Sequence, residues 1–201
     1  WLIAGFAMRR PAITALSFLP AGILGVLMRR PVLYTIGHST RPIDGFLELL
    51  RAHGVEKVVD VRTIPRSRHN PQYDQTTLRK TLRAAHIGYQ HMPKLGGLRH
   101  ARKDSPNAGW INLSFRGFAD HMQSKDFQDG LRCLEVEART RVTVIMCAEA
   151  FVARSHRSLI ADALAVDGWS VRHIQSRRAA PLHRRTPFLK VSRGRLLYPE
   201  P

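Results

Sequence analysis

From residue 32 to residue 174, short β-branched and apolar runs alternate with stretches whose apolar side chains recur every three or four positions. Only a layered α/β fold accommodates that succession readily. Val32-Leu33-Tyr34-Thr35-Ile36 predicts a strand that stops at Gly37, and Ile43, Phe46, Leu47 and Leu50 predict a helix running to His53-Gly54. Lys57 to Val61 gives a second strand, followed by a polar loop through Asp74, a helix over Thr77 to Ala85 and a third strand near Gly88 to Met92. Residues 93 to 113 hold Pro93, Gly96-Gly97, Pro106-Asn107 and Gly109, a loop whose length in a compact domain points to function. Helices over Phe115 to Met122 and Phe127 to Arg139, a strand from Val142 to Met146, a helix from Ser155 to Val166 closed by Gly168, and a strand from Trp169 to Ile174 complete the succession. Phe188 to Tyr198, centred on Ser192-Arg193-Gly194, reads as a small hairpin. The expectation is a single Rossmann-like α/β domain over residues 31–201, with a mainly parallel sheet and helices on both faces.

Residues 1 to 30 stand outside this pattern. They contain no acidic residue, and Pro11 to Met28 carries no charge at all. Those 18 positions fall short of the roughly 20 apolar residues of a spanning helix and are interrupted by Pro11, Pro20, Gly22 and Gly25. Arginine pairs at Arg9-Arg10 and Arg29-Arg30 flank both ends, so charge asymmetry selects no orientation. Three readings stand for this segment: an extension outside the domain, a membrane anchor over residues 11–28, or a signal peptide, for which no small-x-small cleavage site follows. The extension is preferred, because Met28 stands directly before the first strand and the strand-helix pattern is complete without residues 1–27.

Charge narrows the partners. Lysine and arginine number 32 against 15 acidic residues, a net charge of +17, and +13 remains when residues 1–30 are set aside. Such a balance favours an anionic small molecule or nucleic acid, with a membrane role only if residues 11–28 form an anchor. Aromatic residues are 7% of the chain and lack the paired stacking motif of an RNA-recognition sheet. Only Cys133 and Cys147 are present, too few for a disulfide framework or an all-cysteine zinc site. A reducing, cytoplasmic setting is the expectation, with no disulfide partner.

Open α/β sheets bind ligands at the carboxyl ends of their strands, and three strands here end in polar clusters. The first gives Gly37-His38-Ser39-Thr40, the second Asp60-Val61-Arg62 with Arg66 and Arg68 behind it, and the fourth Cys147-Ala148-Glu149. Beyond the fourth lies Arg154-Ser155-His156-Arg157, at the start of a helix whose unpaired N–H groups and positive end favour an anion. Ser155, His156 and Arg157, with Arg62 and Ser39, are therefore the anion-binding candidates, and Cys147, Glu149 and His38 the catalytic ones. Each has a plainer alternative. Ser39 or Thr40 caps a turn; Asp60 and Arg62, on one side of a strand, form a structural ion pair or orient a ligand. Cys147 is a buried small hydrophobe or a nucleophile activated by the nearby helix end. Glu149 is a general base, or holds Arg154 or Arg157 in place. Cys147, His38, His156 and His173 lack the paired spacing of a metal site, and no metal or cofactor is expected.

The chain resembles a known family at these same residues: Tyr34-Thr35-Ile36-Gly37-His38-Ser39, Val59-Asp60-Val61-Arg62, Leu95-Gly96-Gly97, Asp104-Ser105-Pro106-Asn107-Ala108-Gly109-Trp110, Cys147-Ala148-Glu149 and His156-Arg157-Ser158-Leu159-Ile160-Ala161-Asp162. With Thr186-Pro187-Phe188 and Gly194-Arg195-Leu196-Leu197-Tyr198-Pro199, they are similar to the bacterial domain-of-unknown-function 488 family from about residue 32 to the terminus. The resemblance implies a cytoplasmic α/β domain and no established activity. It implies Cys-His-Arg where this chain has Ser155-His156-Arg157, so chemistry that needs two thiols is in doubt here. Two functions are carried forward: an enzyme acting on a phosphate-bearing substrate, nucleotide or nucleic acid, and a non-catalytic module binding the same ligands.

Overall fold

In the computed structural model, residues 30–200 are described. Five parallel strands form the central sheet: β1 (Val32–Gly37), β2 (Lys57–Asp60), β3 (Gly88–His91), β4 (Thr143–Cys147) and β5 (Ser170–His173), in the order β3-β2-β4-β1-β5. Among the described residues five α-helices accompany them: α1 (Ile43–Ala52), α2 (Gln75–Ala84), α3 (Leu113–His121), α4 (Lys125–Thr140) and α5 (Arg157–Val166). The layered, parallel α/β architecture read from the sequence is the one observed. Among the described residues no helix is long and apolar enough to cross a membrane. The expectations for residues 1–27 and for an anchor over residues 11–28 fall outside the described segment.

Side-chain alternation along the strands builds two separate cores. Ile36, Val58, Val144 and Met146 face α1 and α2, meeting Phe46, Leu50, Leu78 and Leu82. Leu33, Val59, Ile145 and Cys147 face the other way, against Phe118 of α3, Leu131 and Leu134 of α4, and Leu159 and Leu164 of α5. Strand β4 lies at the centre and is buried along its whole length, as a continuous apolar run requires when both faces are covered. The β5 edge is covered by the segment that follows it, where His183 N donates to Val171 O at 2.8 Å and His173 N to Pro181 O at 3.0 Å. A final hairpin, β6 (Lys190–Ser192) with β7 (Arg195–Leu197), turns at Arg193 and Gly194, both in the left-handed region.

Element boundaries differ from those expected by at most two residues, and one shift bears on function. The helix expected from Ser155 begins at Arg157, after a short 3₁₀ turn at Val152–Arg154. Ser155 is extended, with φ −130° and ψ 140°, so it lies outside the helix whose start it was expected to form.

Strand order brings the ends of β1 and β4 side by side, with Gly37 opposite Cys147. Pairing continues past both strands, as His38 N donates to Cys147 O at 3.0 Å and Ser39 N to Ala148 O at 2.9 Å. The loop after β4 folds directly onto Gly37, where a Cβ would overlap the Glu149 carbonyl and lie 2.9 Å from Ala150 Cα. Gly37→Ala should therefore lower stability by about 1–3 kcal/mol or more through overpacking against backbone. A urea denaturation midpoint below that of the parent chain checks this.

Candidate functional site

The sheet divides the polar residues at its carboxyl edge into two clusters on opposite faces. On the α1–α2 face lie His38, Asp60 and Arg62. Asp60 is fully buried, and Arg62 grips it through Nε, at 2.9 and 3.2 Å from the two carboxylate oxygens, and through Nη2 at 2.6 Å. Tyr89 donates its hydroxyl to Asp60 Oδ2 at 2.8 Å, and Arg62 Nη2 also donates to the Tyr73 carbonyl at 2.8 Å. Burial opposes the Arg62 charge, but the Asp60 carboxylate outweighs it and raises Arg62 above its ordinary value. Burial, reinforced by the same carboxylate, also pushes the Tyr89 phenol up.

His38 stacks on Tyr73 with ring centroids 4.0 Å apart. Its Nδ1 bonds the Ser39 carbonyl at 2.8 Å, so Nδ1 carries the proton and Nε2 accepts from Arg62 Nη1 at 3.3 Å. Burial lowers its pKa to about 4, with the neighbouring Arg62 charge adding to the effect. Ser39 adopts a left-handed conformation at φ 51°. Its N–H is held by Ala148 rather than left free for an anion.

The opposite face holds Cys147, Ser155 and Arg157. Arg157 is 1% exposed and has no carboxylate among its partners in the described residues. Its Nε donates to Cys147 Sγ at 3.0 Å and to Ser155 Oγ at 3.3 Å, Nη1 to Thr35 Oγ1 at 3.2 Å, and Nη2 to the Glu149 carbonyl at 2.6 Å. Cys147 Sγ and Ser155 Oγ are 3.0 Å apart in a buried contact. Glu149 thus positions Arg157 through its backbone. Its exposed side chain instead accepts from Phe151 N at 3.2 Å. His156 bonds the Val61 carbonyl through Nε2 at 3.0 Å and packs so closely on Gly97 that a Cβ there would lie 2.5 Å from Nδ1. Burial lowers its pKa to about 4.

The fold therefore brings Cys147, Ser155 and Arg157 together, and separately His38, Asp60 and Arg62, while the Glu149 carboxylate joins neither cluster. Sequence reasoning did not connect Arg157 to what lies behind it. Thr35 Oγ1 bonds His173 Nδ1 at 2.8 Å, His173 Nε2 bonds His183 Nδ1 at 3.0 Å, and His183 Nε2 bonds Asp162 Oδ1 at 2.9 Å. Asp162 also accepts from Thr186 Oγ1 at 2.7 Å and from Tyr198 Oη at 3.0 Å. Strand period offered a signal for Thr35, two residues before Gly37 on the face that receives α5. His183 lies in a segment with no periodic signal at all. Cys133 lies within α4 and is exposed. Among the described residues no group of three or more His, Cys, Asp or Glu side chains is placed to hold a metal ion.

A family model described as "Domain of unknown function DUF488" matches residues 42–164. No curated protein and no solved structure matches the chain.

His38, His156 and His173 are each held neutral, with pKa lowered to about 4, mainly by burial. The unfolded chain therefore binds more protons than the folded one between about pH 4 and the ordinary histidine value near 6.5, so stability falls as pH falls through that window. Each group should remove about 2 kcal/mol between pH 7 and pH 5. Urea midpoints across that range check the slope, and His38→Gln should flatten it.

Proposed function

The chain belongs to the DUF488 family, whose description names no activity, and we propose that this member binds a phosphate-bearing ligand, a nucleotide or nucleic acid, along the carboxyl edge of its sheet. One observation carries the reading: the arginines at that edge fall into an inner and an outer set. Arg62 and Arg157 are buried, with their donors engaged inside the protein. Around them, exposed or half-buried arginines line three open clefts beyond the strand ends. A cleft of about 690 Å³ lies between the loops after β1 and β5 and is lined by Arg41, Arg177 and Arg178. One of about 720 Å³ beside Arg66 includes the first turn of α2, and one of about 430 Å³ is lined by Lys103 with Arg99, Arg102 and Arg116, of which Arg102 pairs with Asp104 and the other two donate to backbone carbonyls. Phosphate groups suit such clefts, because guanidinium forks bind their oxygens bidentately. The buried set keeps the loops in place, and the outer set meets the ligand.

Replacing Arg177 and Arg178 together with alanine should weaken binding of inorganic pyrophosphate by about tenfold or more while leaving the urea midpoint unchanged, since each charge-assisted contact is worth about 1.5–3 kcal/mol. Calorimetric titration at two ionic strengths reads both the affinity and its salt dependence. Equal affinity of parent and variant would remove the outer arginines from the reading.

A second reading, catalysis by Cys147, is favoured by the 3.0 Å contact between its sulfur and Arg157 Nε. A guanidinium without a carboxylate partner is a fitting neighbour for a thiolate, the nucleophilic form of cysteine. The same geometry makes Ser155→Cys informative, because the Ser155 oxygen already lies 3.0 Å from Sγ. In a Cys133→Ser background, Ser155→Cys treated with diamide should lose both remaining thiols in an Ellman titration under denaturing conditions. Thiols that persist would mean that this sulfur is out of reach of chemistry.

A further inference from the structure

We propose that the carboxyl edge takes a single-stranded polynucleotide, with one base stacked on Phe151 and the flanking phosphates held by arginines on either side; the proposal rests on the phosphate-binding reading above and specifies its ligand. Strand order sets the arrangement. Because β4 is central, the loop after it stands in the middle of the edge, and Phe151 on that loop is 67% exposed. Arg154 lies over the ring, its guanidinium carbon 5.8 Å from the centroid, an arrangement that also extends the flat surface available to a base. Towards one end, beyond β1 and β5, stand Arg41, Arg177 and Arg178. Towards the other, beyond β2, stand the exposed Arg66 and Arg68. Three strand spacings of about 4.8 Å separate β2 from β5, about 14 Å, a span suited to a few nucleotides of extended chain.

Three acidic groups near this edge have partners within the protein, while Asp44, exposed in the first turn of α1, has none among the described residues. Glu149 caps Phe151 N at 3.2 Å, Asp74 accepts from Ser67 N at 2.7 Å, and Glu48 pairs with Arg177 at 3.5 Å. Arg41 itself is half-buried, and its Nε has no hydrogen-bond partner among the described residues. Exposed apolar side chains accompany the charge, Ile64 at 60% and Leu98 at 68%, on loops joined by the bond from Leu98 N to Thr63 Oγ1. An aromatic face set between arginines matches the alternation of base and phosphate in a single strand, whereas a duplex hides its base faces. A lipid surface would call for a contiguous apolar face, whereas Phe151 stands on the loop after β4 with Arg154 over its ring.

Fluorescence anisotropy of the full chain with labelled oligothymidylate, an abasic strand of equal length and the corresponding duplex tests the proposal. Oligothymidylate should bind about tenfold or more tightly than the abasic strand, as loss of one stacked base predicts. Phe151→Ala should bring oligothymidylate to the abasic level without altering abasic binding, and Phe151→Trp should restore the difference. Arg177→Ala with Arg178→Ala should weaken both strands alike. Equal binding of all three nucleic acids, or no effect of Phe151→Ala, would overturn the stacked strand and leave phosphate binding standing. Failure of every strand, and of pyrophosphate as well, would overturn both. Binding to phosphatidylserine vesicles that Phe151→Ala abolishes, with oligothymidylate affinity unmoved, would assign the edge to a membrane instead.

Discussion

A buried guanidinium with no carboxylate beside it is the constraint around which this fold closes. Taking the Arg157 charge out of water costs several kcal/mol unless its donors are met, and here they are met by a carbonyl, a sulfur and two hydroxyls drawn from β1, β4 and the loop between β4 and α5. The arrangement has a direction. His183 Nε2 donates to Asp162, so its Nδ1 accepts from His173 Nε2; His173 Nδ1 therefore accepts from Thr35, whose oxygen in turn accepts from Arg157. Each donor points from the guanidinium towards the carboxylate. The burial that holds His173 neutral keeps this polarity intact. Asp162 also takes the Thr186 and Tyr198 hydroxyls, so the chain after β5 is tied to the same charge that orders the loop after β4.

Division by the sheet explains why the candidate residues do not form one pocket. Residues two apart on a strand share a face, so Asp60 and Arg62 turn together towards α1 and α2, while Thr35 and Cys147 turn towards α5. His38 follows Ile36 onto the Asp60 side, and only its backbone N–H reaches Cys147. A substrate meeting both Cys147 and His38 would have to enter through the backbone bridge that Gly37 makes possible. That favours ligand binding over the edge rather than within it.

Much of this was legible in the sequence. Strand and helix alternation gave the parallel sheet, and the end-of-strand rule led to His38, Arg62, Cys147 and Arg157, all of which gather at the carboxyl edge. Burial was not legible, because it depends on strand order. Insertion of β4 between β2 and β1 covers both arginines, and nothing local to Asp60-Val61-Arg62 or Ser155-His156-Arg157 announces it. The later helix start has a local cause instead: Ser155 is extended, its Oγ accepts from the Arg157 N–H and its carbonyl from Ser158 N, so it caps the helix from outside rather than forming its first turn. Cys133 could have been placed by period alone. Leu131, Leu134 and Ala138 define the buried stripe of α4, and a residue two places after Leu131 turns roughly 200° away from it.

The separation of buried from exposed charge also decides which charges the edge presents to solvent. His38 and His156, which lie directly beneath it, stay neutral down to about pH 4 because burial penalises their charged forms. They serve as hydrogen-bonding struts for Ser39 and Val61 and add no positive potential in the physiological range. Arg62 is neutralised in place by Asp60. What an approaching anion meets is the outer arginines, which hold their protons at any physiological pH. Exposed charges of this kind are screened over about 8–10 Å at ordinary salt, so on the proposed phosphate-binding reading ionic strength would govern attraction to the edge, and specificity would come from the uncharged groups set among the arginines, of which Phe151 presents an aromatic face.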